Sequence, residues 1–176
     1  PIYGFIFLTT AEKNVIDTPL FQRLRRIHQL ALTKYVYPSA EHSRFVHSLG
    51  VMHCATLILS GIHEHKHKNI SVDPNEKRIK TLRFAALLHD IGHLPFSHAV
   101  EKQWLSGLKH EELSQYIIEN YKPISDILEA EGVSPREVAA LLAKKPPARL
   151  RLLHEIVSGQ LDADRADYLL RDAHFC

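Results

Sequence analysis

Several histidines and aspartates of this chain fall where apolar helices should not tolerate them. His89 and Asp90 follow the run Phe84-Ala85-Ala86-Leu87-Leu88 and precede Ile91. The flanks argue for burial and the pair argues against it, because burying an imidazole beside a carboxylate costs several kcal/mol unless each is paired or bound to a metal. A divalent ion resolves the conflict, since it compensates the carboxylate charge and uses the imidazole lone pair. Two adjacent residues cannot fill a coordination sphere, so other ligands must come from elsewhere in the fold. His47, in an apolar stretch, and Asp164, within LDADRADYLLRD, are the natural candidates. Two imidazoles and two carboxylates suit Mn, Fe, Zn, Co, Ni or Mg and disfavour copper(I) or an all-cysteine zinc site. Four protein ligands around an ion that prefers six leave room for water and a substrate oxygen, as metal-assisted hydrolysis requires. A buried hydrogen-bonded network of His and Asp, with no metal, accounts for the same pattern. His93, His98 and His110 are further polar residues of this kind, and His42 lies beside Arg44.

The remaining histidines read differently. His63, His65 and His67 alternate with charged residues in a polar stretch. Alternate residues diverge on a helix, so this reads as a solvated linker over 63–73. His28, His53 and His154 sit singly among apolar and charged neighbours and read as surface or hydrogen-bonded core residues.

The elements that must position these groups are mostly helical, because apolar residues recur at three- and four-residue spacing. Thr18-Pro19 reads as an N-cap with proline at N1, opening a helix with Leu20, Leu24, Ile27 and Leu30 on one face. A long helix is expected over 44–63. Asp73-Pro74 starts the helix that ends at His89-Asp90, where Gly92 and Pro95 break it. Further helices are expected through Val100 and Trp104, from His110 to Tyr121, from the capping box Ser134-Pro135-Arg136-Glu137, over 148–158, and after the N-cap Asp162. Only the opening PIYGFIFL alternates like a strand or a short β-hairpin arm. The fold class is all-α, one domain over residues 1–176.

Composition excludes several classes. Of 176 residues, 22 are Lys or Arg and 20 are Asp or Glu, a net charge of +2. That balance gives no polyanion footprint, so nucleic-acid binding is not indicated and any phosphate must be recognised locally. Two cysteines make no disulfide framework. No run of 18 uninterrupted apolar residues suggests a membrane span, and no signal peptide opens the chain. A cytoplasmic location is expected. The start at Pro1 and the stop at Cys176, within a helical pattern, predict the catalytic core of a longer protein.

HSRFVHSLG, HDIGHLPFSH and DADRADYLLRD, in that order, resemble the HD-domain metal-dependent phosphohydrolases, most closely the deoxynucleoside triphosphate triphosphohydrolase branch. The opening PIYGFIFL and IDTPLFQRLRRIHQL resemble that branch too. The resemblance covers residues 1–121 and 155–175. It implies an HD-domain helical bundle in which His47, His89, Asp90 and Asp164 hold a divalent metal. It also implies that His93, His98 and His110 line the catalytic pocket, and that Arg44, Arg165, Tyr168 and Asp172 contact phosphate or sugar. The implied reaction is metal-assisted hydrolysis of a nucleotide or other phosphate ester, giving nucleoside and triphosphate in the triphosphohydrolases. His110 or His98 would move the proton, for which an ordinary imidazole pKa of about 6.5 is suited. The implied assembly is a homo-oligomer. Two other readings share these residues: an alarmone hydrolase or phosphodiesterase of the same fold, and a metal- or nucleotide-binding regulatory domain without turnover.

Overall fold

The computed structural model describes residues 2–65, 75–96 and 108–176. The expected helix through Val100 and Trp104 lies outside these residues, as do His98, Asp73-Pro74 and all of the 63–73 linker beyond His65.

The described chain is helical. Its helices are α1 (Thr10–Ile16), α2 (Pro19–Gln22), α3 (Arg44–Glu64), α4 (Glu76–Leu88), α5 (His110–Asn120), α6 (Lys122–Ala130), α7 (Pro135–Ala140), α8 (Arg151–Ser158) and α9 (Ala163–Phe175). The 21-residue α3 is the axis: α4 packs along one side and α9 along another, with α8 beside them. By length and composition α3 could cross a membrane. Here it is a core helix, with Arg44, His47 and Ser48 buried within the domain. α4 is its densest partner. Leu82, Phe84, Leu87, Leu88 and the following Ile91 are fully buried or nearly so. Each contributes about 2 kcal/mol through burial, which is what forces His89-Asp90 inside.

Several local expectations are corrected. The opening residues form no hairpin. Among the described residues the one β contact is an isolated antiparallel bridge between His28 and Ser43. The N-terminal arm has no regular secondary structure, bends at Tyr3-Gly4 and is held by side chains instead: Tyr3 Oη donates to Asp167, and Arg83 Nη2 donates to the Phe7 carbonyl at 3.0 Å. Thr18 does cap α2, but the helix expected through Leu30 ends at Gln22 and tightens into a 3₁₀ turn over Arg23–Arg26. The reason is tertiary. Ile27 and Gln29 must turn extended to exchange backbone bonds with Arg44 (2.8 Å) and His42 (3.0 Å). His28 therefore lies in the bridge, between Lys34 and Glu41, and not in a helix.

His63 and Glu64 extend α3 and are not linker. α4 is capped by Asn75, whose Oδ1 accepts from the Arg78 N–H. α6, with Pro123 in its first turn, is a helix the periodicity did not single out. The Ser134 box does not close, because the Glu137 carboxylate turns to Arg149 (2.8 Å) and Lys77 (3.6 Å). Asp162 caps α9 as expected, accepting from the Arg165 N–H at 2.7 Å.

Candidate metal centre and its cleft

The end of α4 is built to deliver two side chains. After Leu88 the chain leaves the helix through tight turns, with Ile91 N–H on Leu88 O and His93 N–H on Asp90 O. The carbonyls exposed there are taken up by neighbours, as buried helix ends require. Ser114 of α5 donates to His89 O (2.8 Å) and accepts from Gly92 N–H (2.9 Å). Arg23 donates to the carbonyls of Ile91 and His93, both at 2.6 Å. Gly92 is required by contact: a Cβ there would stand 2.3 Å from His110 O and 2.6 Å from Ser114 N.

Three helices then bring together all four expected ligands. His47 Nε2 lies 3.0 Å from Asp164 Oδ1 and 3.8 Å from Asp90 Oδ2. His89 Nε2 lies 3.3 Å from Asp90 Oδ1 and 3.9 Å from Asp164 Oδ1. The ligand atoms of His47, His89 and Asp90 lie within 4.8 Å of one another. Side-chain exposure is 1% for His47, 10% for His89 and 5% for Asp90, against 38% for Asp164. The site is thus closed on the α3/α4 side and opens past Asp164. Asp162, two residues earlier, caps the helix and lines the cleft.

The other nitrogen of each imidazole decides its state. Ala86 O can only accept, so His89 Nδ1, at 2.8 Å, carries the proton. Asp167 Oδ2 lies 2.7 Å from His47 Nδ1. Burial pushes the Asp167 carboxyl up, but hydrogen bonds from His47 and Arg171 prevail and bring it down to about 2. It is therefore ionised and accepts the His47 Nδ1–H. Both Nε2 atoms are left buried, without a hydrogen-bond donor, facing carboxylate oxygens. Such a nitrogen is either protonated or a ligand. In the metal-free protein burial disfavours the charged His47, yet Asp164, Asp167 and Asp90 raise its pKa to about 9. Burial likewise opposes ionised Asp90, but Arg44 and the imidazoles of His89, His93 and His47 hold it well below the usual carboxylate range. Asp90, Asp164 and Asp167 against Arg44 and Arg171 leave one excess negative charge before any imidazole is counted. Two imidazole lone pairs and two carboxylates converging under that excess fit a divalent cation, and the outer partners Asp167 and Ala86 O are those that orient metal-binding histidines.

The cluster lies at the base of a cleft of about 590 Å³. Its lining takes His89, Asp90, Asp164 and Arg165 from the end of α4 and from α9, and Lys109, His110, Glu111, Glu112, Gln115 and His154 from α5 and α8; His110 also comes within 4.8 Å of Asp90 and His93, ligand atom to ligand atom. His110 opens α5 and stacks on His93, with ring centroids 3.8 Å apart. His93 Nε2 in turn lies 3.3 Å from Asp90 Oδ1. Arg44 is buried and ion-paired with Asp90 Oδ2 rather than set at the mouth of the cleft. Arg165 is exposed, its Nη1 donating to Gln160 O. Tyr168 is half-buried one turn after Asp164. Asp172 lies further along α9, 3.3 Å from His42. His42 thus belongs to a separate contact, where it stacks on Phe175, and is no ligand. His98 cannot be placed, being outside the described residues.

The geometry also adds residues that sequence reasoning passed over: Asp167 and Arg171 behind His47, and Arg23 and Ser114 behind His89-Asp90. The first two carried a readable hint, since Asp164, Asp167 and Arg171 recur at three and four residues on one helix. Arg23 and Ser114 carried none.

A profile of the HD domain matches residues 44–172, spanning the four converging side chains. The chain belongs to the HD-domain family. Among its relatives, it is 39% identical over 173 residues to an uncharacterized protein of Methanocaldococcus jannaschii, covering 98% of this chain and 32% of that one. It is 33% identical to human deoxynucleoside triphosphate triphosphohydrolase SAMHD1, covering 99% of this chain and 32% of that protein. A solved phosphohydrolase structure from Bacteroides thetaiotaomicron superposes with a TM-score of 0.81 at 36% identity, covering 99% of this chain and 41% of that one. This HD domain spans about a third of the length of these curated relatives. The expected family and the all-α fold are both borne out.

Proposed function

We propose that this HD domain is the catalytic core of a metal-dependent phosphohydrolase that acts on nucleoside triphosphates, deoxynucleotides foremost, and releases nucleoside and triphosphate. The observation that carries the reading is the convergence of His47 Nε2, His89 Nε2, Asp90 and Asp164 beside a cleft that Lys109 and His110 also line. The similarity to SAMHD1 supports the triphosphohydrolase form of it.

His47, His89, Asp90 and Asp164 would hold the ion. When bound, a divalent ion supplies Lewis-acid polarisation of a phosphoryl oxygen and of water. The chain's own residues do the rest. Asp167 and the Ala86 carbonyl hold the Nδ1–H groups, so that both Nε2 atoms face inward. Arg44 fixes the Asp90 carboxylate. Lys109 and Arg165, at the cleft, offer cations to phosphate oxygens. His110, stacked on His93, is placed to transfer a proton to or from the reacting oxygen.

The test is a screen of the full-length protein against dNTPs, NTPs, alarmones and cyclic nucleotides with Mn, Mg, Fe, Co, Ni or Zn, with products resolved by ion-exchange chromatography. Release of inorganic triphosphate from a dNTP supports the proposal. Turnover of an alarmone or cyclic nucleotide alone replaces the substrate class. No turnover with any ion overturns the enzymatic reading.

A further inference from the structure

Asp167 receives four donors from three parts of the chain. His47 Nδ1 and Arg171 Nε reach Oδ2 at 2.7 and 2.9 Å, while Arg171 Nη2 and Tyr3 Oη both reach Oδ1 at 2.8 Å. Arg171 is four residues from Asp167 on the same helix, so that pair turns as a unit. His47 is the group being oriented. Tyr3 alone ties the carboxylate to an element outside α3 and α9. Tyr3 is itself seated on α3: its ring meets His53 with centroids 5.1 Å apart, and Cys54 Sγ donates to Oη at 3.3 Å. Burial first, then the bonds to Cys54 and Asp167, push the Tyr3 pKa up, so the hydroxyl stays a donor. The space around the carboxylate is full, since a Cβ on Gly50 of α3 would fall 1.8 Å from Asp167 Oδ1.

We propose that Tyr3 is a positioning residue for the metal centre: through Asp167 it sets the orientation of the His47 imidazole and thereby the affinity of the site for its ion. The N-terminal arm and the ligand from α3 share one anchor. This rests on the reading of His47 as a metal ligand. Outer partners of ligating histidines change metal affinity by about 10- to 100-fold when removed. Tyr3 stands one bond further out, and Arg171 retains its hold when Tyr3 is altered. The loss expected for Tyr3→Phe is therefore smaller, about fivefold.

The experiment titrates Mn²⁺ into the metal-free full-length protein, followed by electron paramagnetic resonance of the free ion. Wild type, Tyr3→Phe, Phe5→Ala and His89→Ala are compared. Phe5 is 88% exposed on the same arm and controls for arm packing. Melting curves of the metal-free proteins and the ¹⁵N-edited resonance of the His47 Nδ1–H give two readouts independent of turnover. Support is a fivefold weaker Mn²⁺ affinity and a moved His47 Nδ1–H resonance in Tyr3→Phe, with Phe5→Ala as wild type. An unmoved resonance, even with lowered melting temperature, overturns the proposal, because a merely structural role leaves the imidazole where it was. Equal Mn²⁺ affinity in wild type and Tyr3→Phe also overturns it and leaves the metal reading intact. If wild type binds no Mn²⁺ that His89→Ala removes, the metal reading falls and takes this inference with it.

Discussion

On the α3/α4 side of the cleft, His47, His89 and Asp90 are between 1 and 10% exposed, and each has a second group behind it: Asp167, the Ala86 carbonyl and Arg44. On the far side, the one contributed by α5 and the chain after it, Lys109 and Lys144 are exposed at the cleft beside Glu111 and Glu112, and His154 Nδ1 bonds to Leu141 O. The contrast follows from what each side must do. An ion demands ligand atoms held to a few tenths of an ångström, so its side chains sit in the core and are clamped twice. On the proposed function, the triphosphate tail is long and multiply charged, so flexible cations at a solvated surface would suffice, each contributing little. The α3/α4 side should therefore fail abruptly when altered and the far side should fail gradually.

The largest effect is expected for Asp90→Ala or His89→Ala, which should abolish both bound metal and turnover; retention of stoichiometric metal by elemental analysis would contradict the ligand assignment. Next comes the packing beneath the ligands. Gly50→Ala drives a methyl into Asp167 and Arg171, whereas Gly61→Ala, on the same helix, meets nothing within 4 Å. The first should destabilise the protein by at least about 3 kcal/mol, the upper end of ordinary overpacking, and lower the melting temperature accordingly. The second should stabilise it by up to ~1 kcal/mol through helix propensity. Equal melting temperatures for the two would refute the close approach of α3 and α9. On the far side, Lys109→Ala should raise KM for a nucleoside triphosphate about fivefold, the equivalent of roughly 1 kcal/mol for an exposed charge, with Mn²⁺ affinity unchanged. A changed Mn²⁺ affinity would mean that the two sides are not separable.

Acid sensitivity tests the group behind His47 directly. The folded-state pKa of Asp167, brought to about 2 by His47 and Arg171 against the pull of burial, lies below the unfolded value of about 3.9. Such a carboxylate contributes stability that is present above about pH 4 and lost as the pH falls toward 2. The metal-free wild type should thus lose more melting temperature between pH 4 and 2 than Asp167→Asn does. Parallel curves would show that Asp167 is not held by these partners.

Much of this was legible in the chain, and the illegible part has a pattern. α3, α5 and α9 follow their periodicity and caps to within a residue or two, and α8 starts three residues later than expected, behind a 3₁₀ turn over Ala148–Leu150; these signals are local. The helix expected through Leu30 was not formed, because backbone pairing with His42 and Arg44 competes with it. The Ser134 box was lost because Arg149, a residue of another segment, takes the Glu137 carboxylate. Each miss came from a distant partner outbidding a neighbour. The same holds at the site: Asp167 and Tyr3 act on His47 across 120 and 44 positions of sequence.

The sequence by itself determined the chemistry available. Apolar runs around His47 and His89-Asp90 commit imidazole and carboxylate to the interior, where they need a compensating partner. It also determined where most helices begin and end. It named Asp164 as a ligand, but not which of Asp162, Asp167 and Asp172 would stand behind His47, since all four lie on or at the head of one helix. That choice was made by the crossing of α3 and α9 at Gly50, where the missing side chain lets the helices close. There Asp164 reaches the ligand side of the imidazole, Asp167 falls behind it, and Asp162 and Asp172 are left to the helix cap and to His42. Contacts of about 3 Å depend on the rotation and separation of whole helices, and those are properties of the packed core rather than of any local stretch of residues.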